Sequence, residues 1–248
     1  MIADKHITVI IPALNESESI GRVIADIPDV VDHVIVVDNG SDDNTDMIAR
    51  SFGATVVYEK NKGYGTACLA GIRSVGQTTD LIAFIDGDYS DYPEDLIDVV
   101  RPVADGRYRF AIGCRQNTAS NYADLPHADL PWHQRWGNWL ACCFIDLLYG
   151  YKFSDLGPMR CISLKLLTRL QMSDANYGWT IEMQLKASIL GVSVLQVPVR
   201  YRRRIGKSKI SGTVRGSIMA GYKIFYWIIR LFLHNHKGVH KAFNSRSM

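Results

Sequence analysis

The stretch Leu-Ile-Ala-Phe-Ile-Asp-Gly-Asp, residues 81–88, joins a short apolar β-strand directly to two carboxylates. Residues two apart in an extended chain point the same way, so Asp86 and Asp88 lie on one side of the strand end. Two neighbouring carboxylates repel each other unless a cation lies between them, and a hard divalent ion such as Mg²⁺ or Mn²⁺ binds carboxylate and phosphate oxygens together. Gly87 allows a ligand to approach the backbone closely. A solvated turn that carries two acids is the alternative, but the place directly after a buried strand favours a metal site.

The pattern around this stretch alternates between apolar, β-branched runs and helical ones. Predicted strands cover residues 7–11, 33–37, 54–58, 81–85 and 110–113. Predicted helices cover residues 16–27, 42–52 and 64–75, and another opens at Pro93. Such alternation implies a parallel sheet with helices on both faces. Ligands of such sheets bind beyond the carboxyl ends of the strands, so we expect a site at residues 12–16, 38–42 and 86–88.

The second half of the chain is less regular. Predicted helices cover residues 132–148, 164–171 and 180–190, and predicted strands cover 159–163 and 192–201. A basic loop over 202–212 precedes a long final helix. The predicted fold class is α/β, with a mostly parallel sheet flanked by helices. We expect one domain over residues 1–212, followed by an amphipathic C-terminal helix and tail over 213–248.

Composition indicates a folded protein of ordinary surface charge. The 248 residues are 47% hydrophobic and 21% charged, which excludes a disordered chain. A net charge of +3 gives no support for a nucleic-acid partner. The five cysteines lack metal-ligand spacing, which is typical of a reduced, cytosolic compartment. We find no signal peptide and no apolar run of the roughly 18 to 20 residues that a spanning helix needs, so we expect a cytoplasmic protein.

Two further segments carry polar groups where a ligand is expected. Asp38 follows the second predicted strand, where a carboxylate is suited to a base imide N–H or a ribose hydroxyl. Asp42 is better explained as a helix cap. Lys62, within Asn-Lys-Gly-Tyr-Gly at 61–65, places a cation at a helix start, which suits a phosphate or a ribose. A plain loop-to-helix junction explains this last pattern equally well.

Four of these segments, taken together in order and spacing, resemble the family 2 glycosyltransferases of the GT-A fold. They are Ile-Pro-Ala-Leu-Asn-Glu at 11–16, Val-Val-Asp-Asn-Gly-Ser at 36–41, Asn-Lys-Gly-Tyr-Gly at 61–65 and Asp-Gly-Asp at 86–88. The similarity continues through residues 155–160, 177–182 and 204–209, so it covers nearly the whole chain. The branch that the chain most resembles contains the dolichyl-phosphate mannose synthases and polyprenyl-phosphate glucosyltransferases.

This resemblance implies an inverting, metal-dependent transfer from a nucleotide-sugar. The residues that it implies for binding the nucleotide-sugar are Pro12, Ala13, Glu16, Asp38, Lys62, Gly65, Asp86 and Gly87. It also implies a metal ion, Mg²⁺ or Mn²⁺, on Asp86 and Asp88. Phosphate groups are expected on a loop that contains Arg204, Ser208 and Lys209.

The chain departs from the pattern of its resemblance in two ways. Lipid-phosphate mannose synthases often carry Gln where this chain has Ser90, which leaves the metal shell to water or lowers the metal affinity. The Gln-x-x-Arg-Trp signature of processive polysaccharide synthases is absent, which favours a single transfer over polymerisation.

Two acids are candidates for a general base. If the acceptor is a hydroxyl, a carboxylate must take its proton. Asp155 is the first candidate and Glu182 the second, with an ordinary helix residue as the alternative for Glu182. If the acceptor is a phosphate, it is already ionised at neutral pH, and Asp155 would only position other groups.

Two predicted helices bear on the acceptor. The C-terminal helix is apolar except for a narrow stripe of Arg215, Lys223, Tyr226 and Arg230. This pattern is typical of a helix in a membrane interface, with docking on the core or on a second subunit as the alternative. On the earlier helix, Arg135 is a candidate for the acceptor phosphate or is simply solvated.

We therefore expect a non-processive enzyme that moves one hexose, with UDP-glucose as the preferred donor, to a polyprenyl phosphate or another membrane-associated acceptor. Such an enzyme would lie in the cytoplasm, peripheral to the inner face of the membrane. Two alternatives stay open. One is a soluble glycosyltransferase of small molecules or glycans, with the last helix in a homodimer contact. The other is a nucleotide-binding module without catalytic activity.

Overall fold

Seven strands form one mixed sheet in the computed structural model, which describes residues 2–115, 132–206 and 214–244. The strands are β1 (Ile7–Ala13), β2 (His33–Asp38), β3 (Thr55–Tyr58), β4 (Leu81–Phe84), β5 (Phe110–Cys114), β6 (Arg160–Ser163) and β7 (Val194–Pro198). Their order is β3-β2-β1-β4-β6-β5-β7. All neighbours pair in parallel except β6, which runs antiparallel to both β4 and β5. The predicted α/β class with a mostly parallel sheet is confirmed.

Helices cover both faces of this sheet. They are α1 (Ile20–Ala25), α2 (Thr45–Ser51), α3 (Tyr64–Arg73), α4 (Leu96–Ala104), α5 (Trp132–Tyr149), α6 (Leu164–Leu170), α7 (Trp179–Ile189) and α8 (Val214–Asn244). Side chains are described over the same ranges except at 132–134, 214–218 and 235–244. A 3-10 turn at Pro93–Asp95 leads into α4, in keeping with the helix start expected at this proline.

Two apolar cores lie on opposite faces of the sheet because successive strand residues point to opposite sides. Val9 and Ile11 of β1 pack with α1, α2 and α4 on one face. Ile10, between them, packs with α3, α6 and α7 on the other face. All three side chains are fully buried, so the sheet is covered on both sides as its parallel strands require.

The first helix is shorter than predicted. α1 begins at Ile20, so the expected start at Glu16 is wrong. Asn15 has a left-handed backbone with φ 54°, which does not continue a helix, and the Glu16 amide donates to Thr45 Oγ1 at 2.8 Å. The segment between β1 and α1 therefore lies along the edge of the sheet.

Strand β7 is also shorter than the predicted range of 192–201. The residues that follow it leave the sheet and run beside the segment after β4. The Arg202 amide donates to the Ser90 carbonyl at 2.9 Å, and the Ile205 amide donates to the Asp88 carbonyl at 3.0 Å. The basic segment is thus held against the two acids.

The direction of β6 determines which residues reach the edge where a ligand is expected. Arg160, the first residue of β6, pairs with Phe84, the last residue of β4. The amino end of an antiparallel strand therefore meets the carboxyl ends of its parallel neighbours. Residues 155–158, which precede β6, come to this edge for that reason.

Helix α8 packs on the rest of the fold through a third apolar cluster. Trp227 and Ile228 of α8 are buried against Ile145 of α5 and Leu185 of α7. Among the described residues, no helix is long and apolar enough to cross a membrane. Helix α8 thus shares an apolar core with α5 and α7. The division into a domain over 1–212 and a C-terminal segment over 213–248 stays a prediction.

We predict that Gly71→Ala destabilises the protein. A Cβ at Gly71 would lie 2.5 Å from Ile10 Cγ2 and 3.1 Å from Val37 Cγ2, because α3 packs directly on β1 and β2. We expect the free energy of unfolding to fall by about 1–3 kcal/mol, measured by chemical denaturation. Gly137→Ala on α5 is the control, since nothing lies within 4 Å of its Cβ. Equal effects of the two changes would contradict the packing of α3.

Candidate active site

A cleft of about 460 Å³ opens at the edge where the strands end. The expected site residues that line it are Pro12, Ala13, Glu16, Lys62, Asp86, Gly87, Asp88 and Arg204. They come from four separate places, which are the end of β1 with the residues that follow it, the segment before α3, the segment after β4 and the segment after β7. The sheet brings them together because the parallel strands β1, β4 and β7 all end at this edge.

The two acids after β4 are held by different partners. Asp86 Oδ1 accepts the Tyr64 hydroxyl at 3.0 Å. Asp88 Oδ2 lies 2.8 Å from Arg204 Nη1, and Asp88 Oδ1 accepts the Ser90 amide at 3.0 Å. Asp88 is thus neutralised by an arginine, whereas Asp86 has a neutral hydrogen-bond donor.

The pKa of Asp86 reflects this difference between the partners of the two acids. Burial and the charge of Asp88 raise the pKa of Asp86 from 3.8 to about 6, against the smaller opposing effects of Arg204 and Tyr64. Nearby, Asp91 is buried, and burial together with the charge of Asp86 raises its pKa well above the usual value. Asp91 therefore holds a proton more readily than an exposed aspartate does.

The end of β1 and the segment that follows it support the acidic loop. Ser19 Oγ donates to the Gly87 carbonyl at 2.8 Å and also contacts Glu16 Oε2 at 3.2 Å. A Cβ at Gly87 would lie 3.4 Å from the Pro12 carbonyl oxygen, so the two loops are in close contact. Pro12, Ala13 and Glu16 consequently form one wall of the cleft next to the acids.

The segment after β7 is fastened over the same loop by arginine–tyrosine stacking. The Arg202 guanidinium lies 3.4 Å from the Tyr89 ring centroid and 4.1 Å from that of Tyr92. Arg200 pairs with Asp95, which accepts the Arg200 amide at 2.7 Å. These contacts fix the backbone from which Arg204 reaches Asp88.

Two of the residues expected to bind the nucleotide-sugar do not line the cleft. Asp38 is buried, and its Oδ1 accepts the Ser41 amide at 2.9 Å, so its carboxylate shapes the turn after β2. Gly65 packs against the backbone near α7, where a Cβ would lie 2.0 Å from the Asp174 carbonyl oxygen. A role in helix packing explains Gly65 without a ligand. The expected cap of α2 at Asp42 is wrong, because α2 begins only at Thr45.

The first candidate base, Asp155, is fully buried and bound to Arg115. Its two oxygens accept Arg115 Nε and Nη2 at 2.8 Å each, and the amides of Arg115 and Leu156 at 2.8 and 2.7 Å. Burial alone would raise the pKa of Asp155, but the Arg115 charge and these four donors hold it below its usual value. A carboxylate so engaged is a weak base, which favours the positioning role.

The second candidate base, Glu182, does not line the cleft. It is fully buried on α7 and lies 2.6 Å from Lys186 Nζ. Its oxygens accept the amides of Ser173 and Asp174 at 3.0 and 2.7 Å. The geometry thus assigns Glu182 to the support of the loop before α7 and is unfavourable to proton transfer from a ligand.

The expected phosphate-binding residues fall in three different situations. Arg204 lines the cleft and pairs with Asp88. Arg135 is exposed on α5 and does not line the cleft. Ser208 and Lys209 lie outside the described residues.

Several cleft residues were given no role from the sequence, and these include Asn39, Tyr64, Arg115, Leu156, Asn176, Tyr177 and Ala220. Arg115 directly follows β5, so the strand-end argument that singled out Asp38 and Asp86 applied to it as well. Asn39 accepts the Gly63 amide at 2.7 Å and donates to the Asn61 carbonyl at 2.8 Å. The hydrophobic periodicity of the sequence gives no indication of these contacts between Asn39 and the segment before α3.

Asp86 and Asp88 fit a divalent ion that also binds a diphosphate. Mg²⁺ is usually held by one or two carboxylates, with substrate phosphates and waters as its other ligands. Within the described ranges, no group of three or more His, Cys, Asp or Glu side chains is arranged to hold an ion. Ser90 is buried and does not line the cleft. Asp86 and Asp88 therefore suit an ion whose remaining ligands are nucleotide oxygens and water.

Comparison with known proteins identifies the class. Residues 8–154 match the family model described as glycosyl transferase family 2. An uncharacterised glycosyltransferase of Mycobacterium tuberculosis is 34% identical, covering 88% of this chain and 96% of the relative. The polyprenol monophosphomannose synthase of Mycolicibacterium smegmatis is 30% identical, covering 93% of this chain and 90% of that protein. Glucosyl-3-phosphoglycerate synthase from Mycobacterium tuberculosis, crystallised with Mn²⁺, UDP and glucosyl-3-phosphoglycerate, has a TM-score of 0.68 at 23% identity, covering 91% of this chain and 81% of that one.

The chain belongs to glycosyltransferase family 2 and is a glycosyltransferase. The expected GT-A fold is confirmed by the superposition on a solved glycosyltransferase. The expected resemblance to the polyprenyl-phosphate branch is also confirmed, because relatives over most of the chain carry names of that branch.

We predict that Asp86→Asn stabilises the protein in the absence of ligands. The folded-state pKa of Asp86 is raised to about 6, so its contribution to stability is full below pH 3.8 and is lost as the pH rises through 6. Asn removes the charge and keeps an acceptor for Tyr64. We expect the free energy of unfolding to rise by about 1–2 kcal/mol at pH 7.5 and to be unchanged at pH 3.5, measured by denaturant titration.

Asp88→Asn provides the contrast for this experiment. Asp88 is paired with Arg204, so its replacement leaves a guanidinium without its carboxylate and lowers stability at pH 7.5. If both variants lowered the free energy of unfolding equally at that pH, the asymmetry of the two acids would be wrong.

Proposed function

We propose that this glycosyltransferase moves one hexose from a nucleotide-sugar to a polyprenyl phosphate or another membrane-associated acceptor, with inversion and with Mg²⁺ or Mn²⁺. The observation that carries the proposal is the pairing of Asp86 and Asp88 at one end of a cleft also lined by the cations Lys62, Arg115 and Arg204. Acids that attract a metal, next to cations that attract phosphate, suit a diphosphate.

We propose that the donor binds between the wall at the end of β1 and the acidic loop. Pro12, Ala13 and Glu16 are suited to the nucleoside, and the acids and Arg204 are suited to the diphosphate. We prefer UDP because the solved enzyme with this fold was crystallised with UDP and Mn²⁺. The name of that enzyme specifies glucose, whereas the name of the relative from Mycolicibacterium smegmatis specifies mannose. We propose UDP-glucose as the first donor to test, because the solved enzyme combines UDP with a glucosyl product.

The chain's own groups supply orientation and charge in the proposed reaction. Inversion requires the acceptor oxygen to approach the anomeric carbon opposite to the leaving diphosphate. Arg204, on the segment beside Asp88, is proposed to stabilise the charge that grows on that diphosphate. A divalent ion on Asp86 and Asp88 would stabilise the same charge as a Lewis acid.

The state of the two candidate bases supports a phosphate acceptor. Asp155 is bound to Arg115, and Glu182 does not line the cleft. A hydroxyl acceptor would need a base, whereas a phosphate is already ionised at neutral pH. Arg115 is proposed to orient the acceptor side of the cleft, with Asp155 fixing its guanidinium.

The surface of α5 and α8 supports contact with a membrane. These helices pack together, with Phe144 and Phe225 at 5.2 Å between ring centroids. Among the described side chains of these two helices, the large apolar or aromatic ones that are exposed include Trp136, Trp139, Leu147, Met219, Tyr222, Tyr226, Ile229 and Leu233. Such a surface, near a cleft also lined by Ala220 of α8, suits the interface of a bilayer that carries a lipid phosphate. We propose a peripheral position on the inner face of the membrane.

We predict that Asp88→Asn abolishes the metal-dependent part of nucleotide binding. The carboxylate that would share a divalent ion with Asp86 is lost, while the walls formed by Pro12 and Asn39 remain. Thermal stabilisation by UDP, GDP and their sugars should be measured with and without Mn²⁺. Asp105→Asn, an acid outside the cleft, is the control. Metal-dependent stabilisation that is unchanged in Asp88→Asn would refute the metal site.

We also predict that the protein floats with anionic vesicles and that Trp136→Ala with Trp139→Ala weakens this binding. Both indoles are more than half exposed, so removing both would cost about 2 kcal/mol, or roughly 30-fold in partitioning. Met47→Ala is the control. Met47 is similarly exposed, but it lies on α2, which packs on the face of the sheet opposite to α7. A wild-type protein that stays out of the vesicle fraction would instead favour a soluble enzyme or a homodimer contact.

Radiolabelled transfer separates the proposed enzyme from a catalytically silent module. UDP-[¹⁴C]glucose is supplied with Mn²⁺ and either polyprenyl phosphate or a free polyprenol. We expect label in the lipid phosphate and none in the polyprenol. Tight UDP-glucose binding with neither transfer nor hydrolysis would support the silent module.

A further inference from the structure

One buried carboxylate joins helix α8 to the wall of the cleft. Asp174 is 2% exposed and lies in the loop before α7. From its own loop, Asp174 Oδ1 accepts the amides of Asn176 and Gly178 at 2.7 and 2.9 Å. From α8, Asp174 Oδ2 accepts Trp227 Nε1 at 2.7 Å and Lys223 Nζ at 3.2 Å. The two oxygens of one side chain therefore serve two different elements.

The loop that Asp174 holds is part of the cleft. Asn176 and Tyr177 both line it, and the adjacent Ala175 carbonyl accepts the Thr66 amide of α3 at 3.0 Å. A Cβ at Gly63 would lie 2.3 Å from that same carbonyl oxygen. A shift of the loop would consequently disturb both the cleft wall and the start of α3.

Helix α8 is closely packed where it contacts Asp174. Trp227 is 3% exposed, and a Cβ at Gly178 would lie 2.3 Å from Trp227 Cδ1. Ala220, two turns earlier on α8, lines the cleft itself. Lys223 was expected on a cationic membrane stripe, but it pairs with Asp174 instead. The position of α8 against the fold, which we call its seating, and the position of the loop therefore depend on each other.

We propose that Asp174 is a positioning residue that couples the seating of helix α8 to the shape of the cleft wall at Asn176 and Tyr177. This inference rests on the proposed function only in taking the cleft as the nucleotide-sugar site. Its consequence is that a change on α8 which touches no ligand alters nucleotide affinity through the loop. By linkage, ligand binding in turn favours the seated position of α8.

Trp227→Phe is the first test, because it keeps an aromatic ring and removes the donor to Asp174. Tyr149→Phe is the matched control. The Tyr149 hydroxyl donates to the Ile228 carbonyl at 2.6 Å, so this variant also loses one hydrogen bond to α8 but leaves the loop alone. Asp174→Asn is a second variant that preserves size in case Trp227→Phe does not fold.

Two measurements are compared between the variants. Hydrogen exchange read by mass spectrometry over residues 173–179 should accelerate in Trp227→Phe and not in Tyr149→Phe, because the amides of Asn176 and Gly178 lose a fixed acceptor. The dissociation constant for UDP with Mn²⁺, measured by calorimetry, should rise about fivefold to tenfold in Trp227→Phe alone.

A double-mutant cycle distinguishes positioning from loss of stability. In a Tyr177→Ala background, Trp227→Phe should change the UDP dissociation constant by less than about twofold, because the wall that it positions is already removed. An equal affinity loss in both backgrounds, or loop exchange equal to that of Tyr149→Phe, would overturn the proposal. If wild-type protein bound no nucleotide, the proposed function would fail, while the exchange comparison would still decide whether Asp174 links α8 to the loop.

Discussion

Repulsion between the carboxylates of Asp86 and Asp88 is the interaction on which the organisation of the cleft depends. Arg204 opposes it by pairing with Asp88, and the Tyr64 hydroxyl opposes it by binding Asp86. Burial, together with the charge of Asp88, still raises the pKa of Asp86 to about 6 against these two contacts. The protein thus keeps two acids close together at the cleft, which is typical of sites that bind ligands.

The mixed sheet explains how so many segments reach that place. Parallel strands deliver the residues after β1, β4, β5 and β7 to one edge, and the antiparallel β6 delivers the residues that precede it. The last arrangement brings Asp155 to Arg115, which follows β5. A buried ion pair of this kind is costly to break and adds little net stability, so its value lies in fixing the orientation of the guanidinium.

Three carboxylates of this region act on the protein itself and not directly on a ligand. Asp155 fixes Arg115, Glu182 binds the amides of the loop before α7, and Asp174 joins that loop to α8. Each is buried and meets several N–H donors, which is how a charge is tolerated away from water. Helix α8 is consequently part of the support of the cleft as well as a candidate for contact with a membrane.

The amino-acid sequence by itself determined the alternation of strands and helices, the α/β class and the family, because apolar periodicity and motif spacing are local properties of the chain. It also located the acids after β4 and the wall at the end of β1. Only the tertiary structure decided the partners of Asp155, Glu182 and Asp174 and the place of Arg115 in the cleft. The contact of Arg115 with Asp155 spans 40 residues and that of Trp227 with Asp174 spans 53. Such contacts depend on how distant elements pack, and no local pattern encodes the resulting geometry of donors and acceptors.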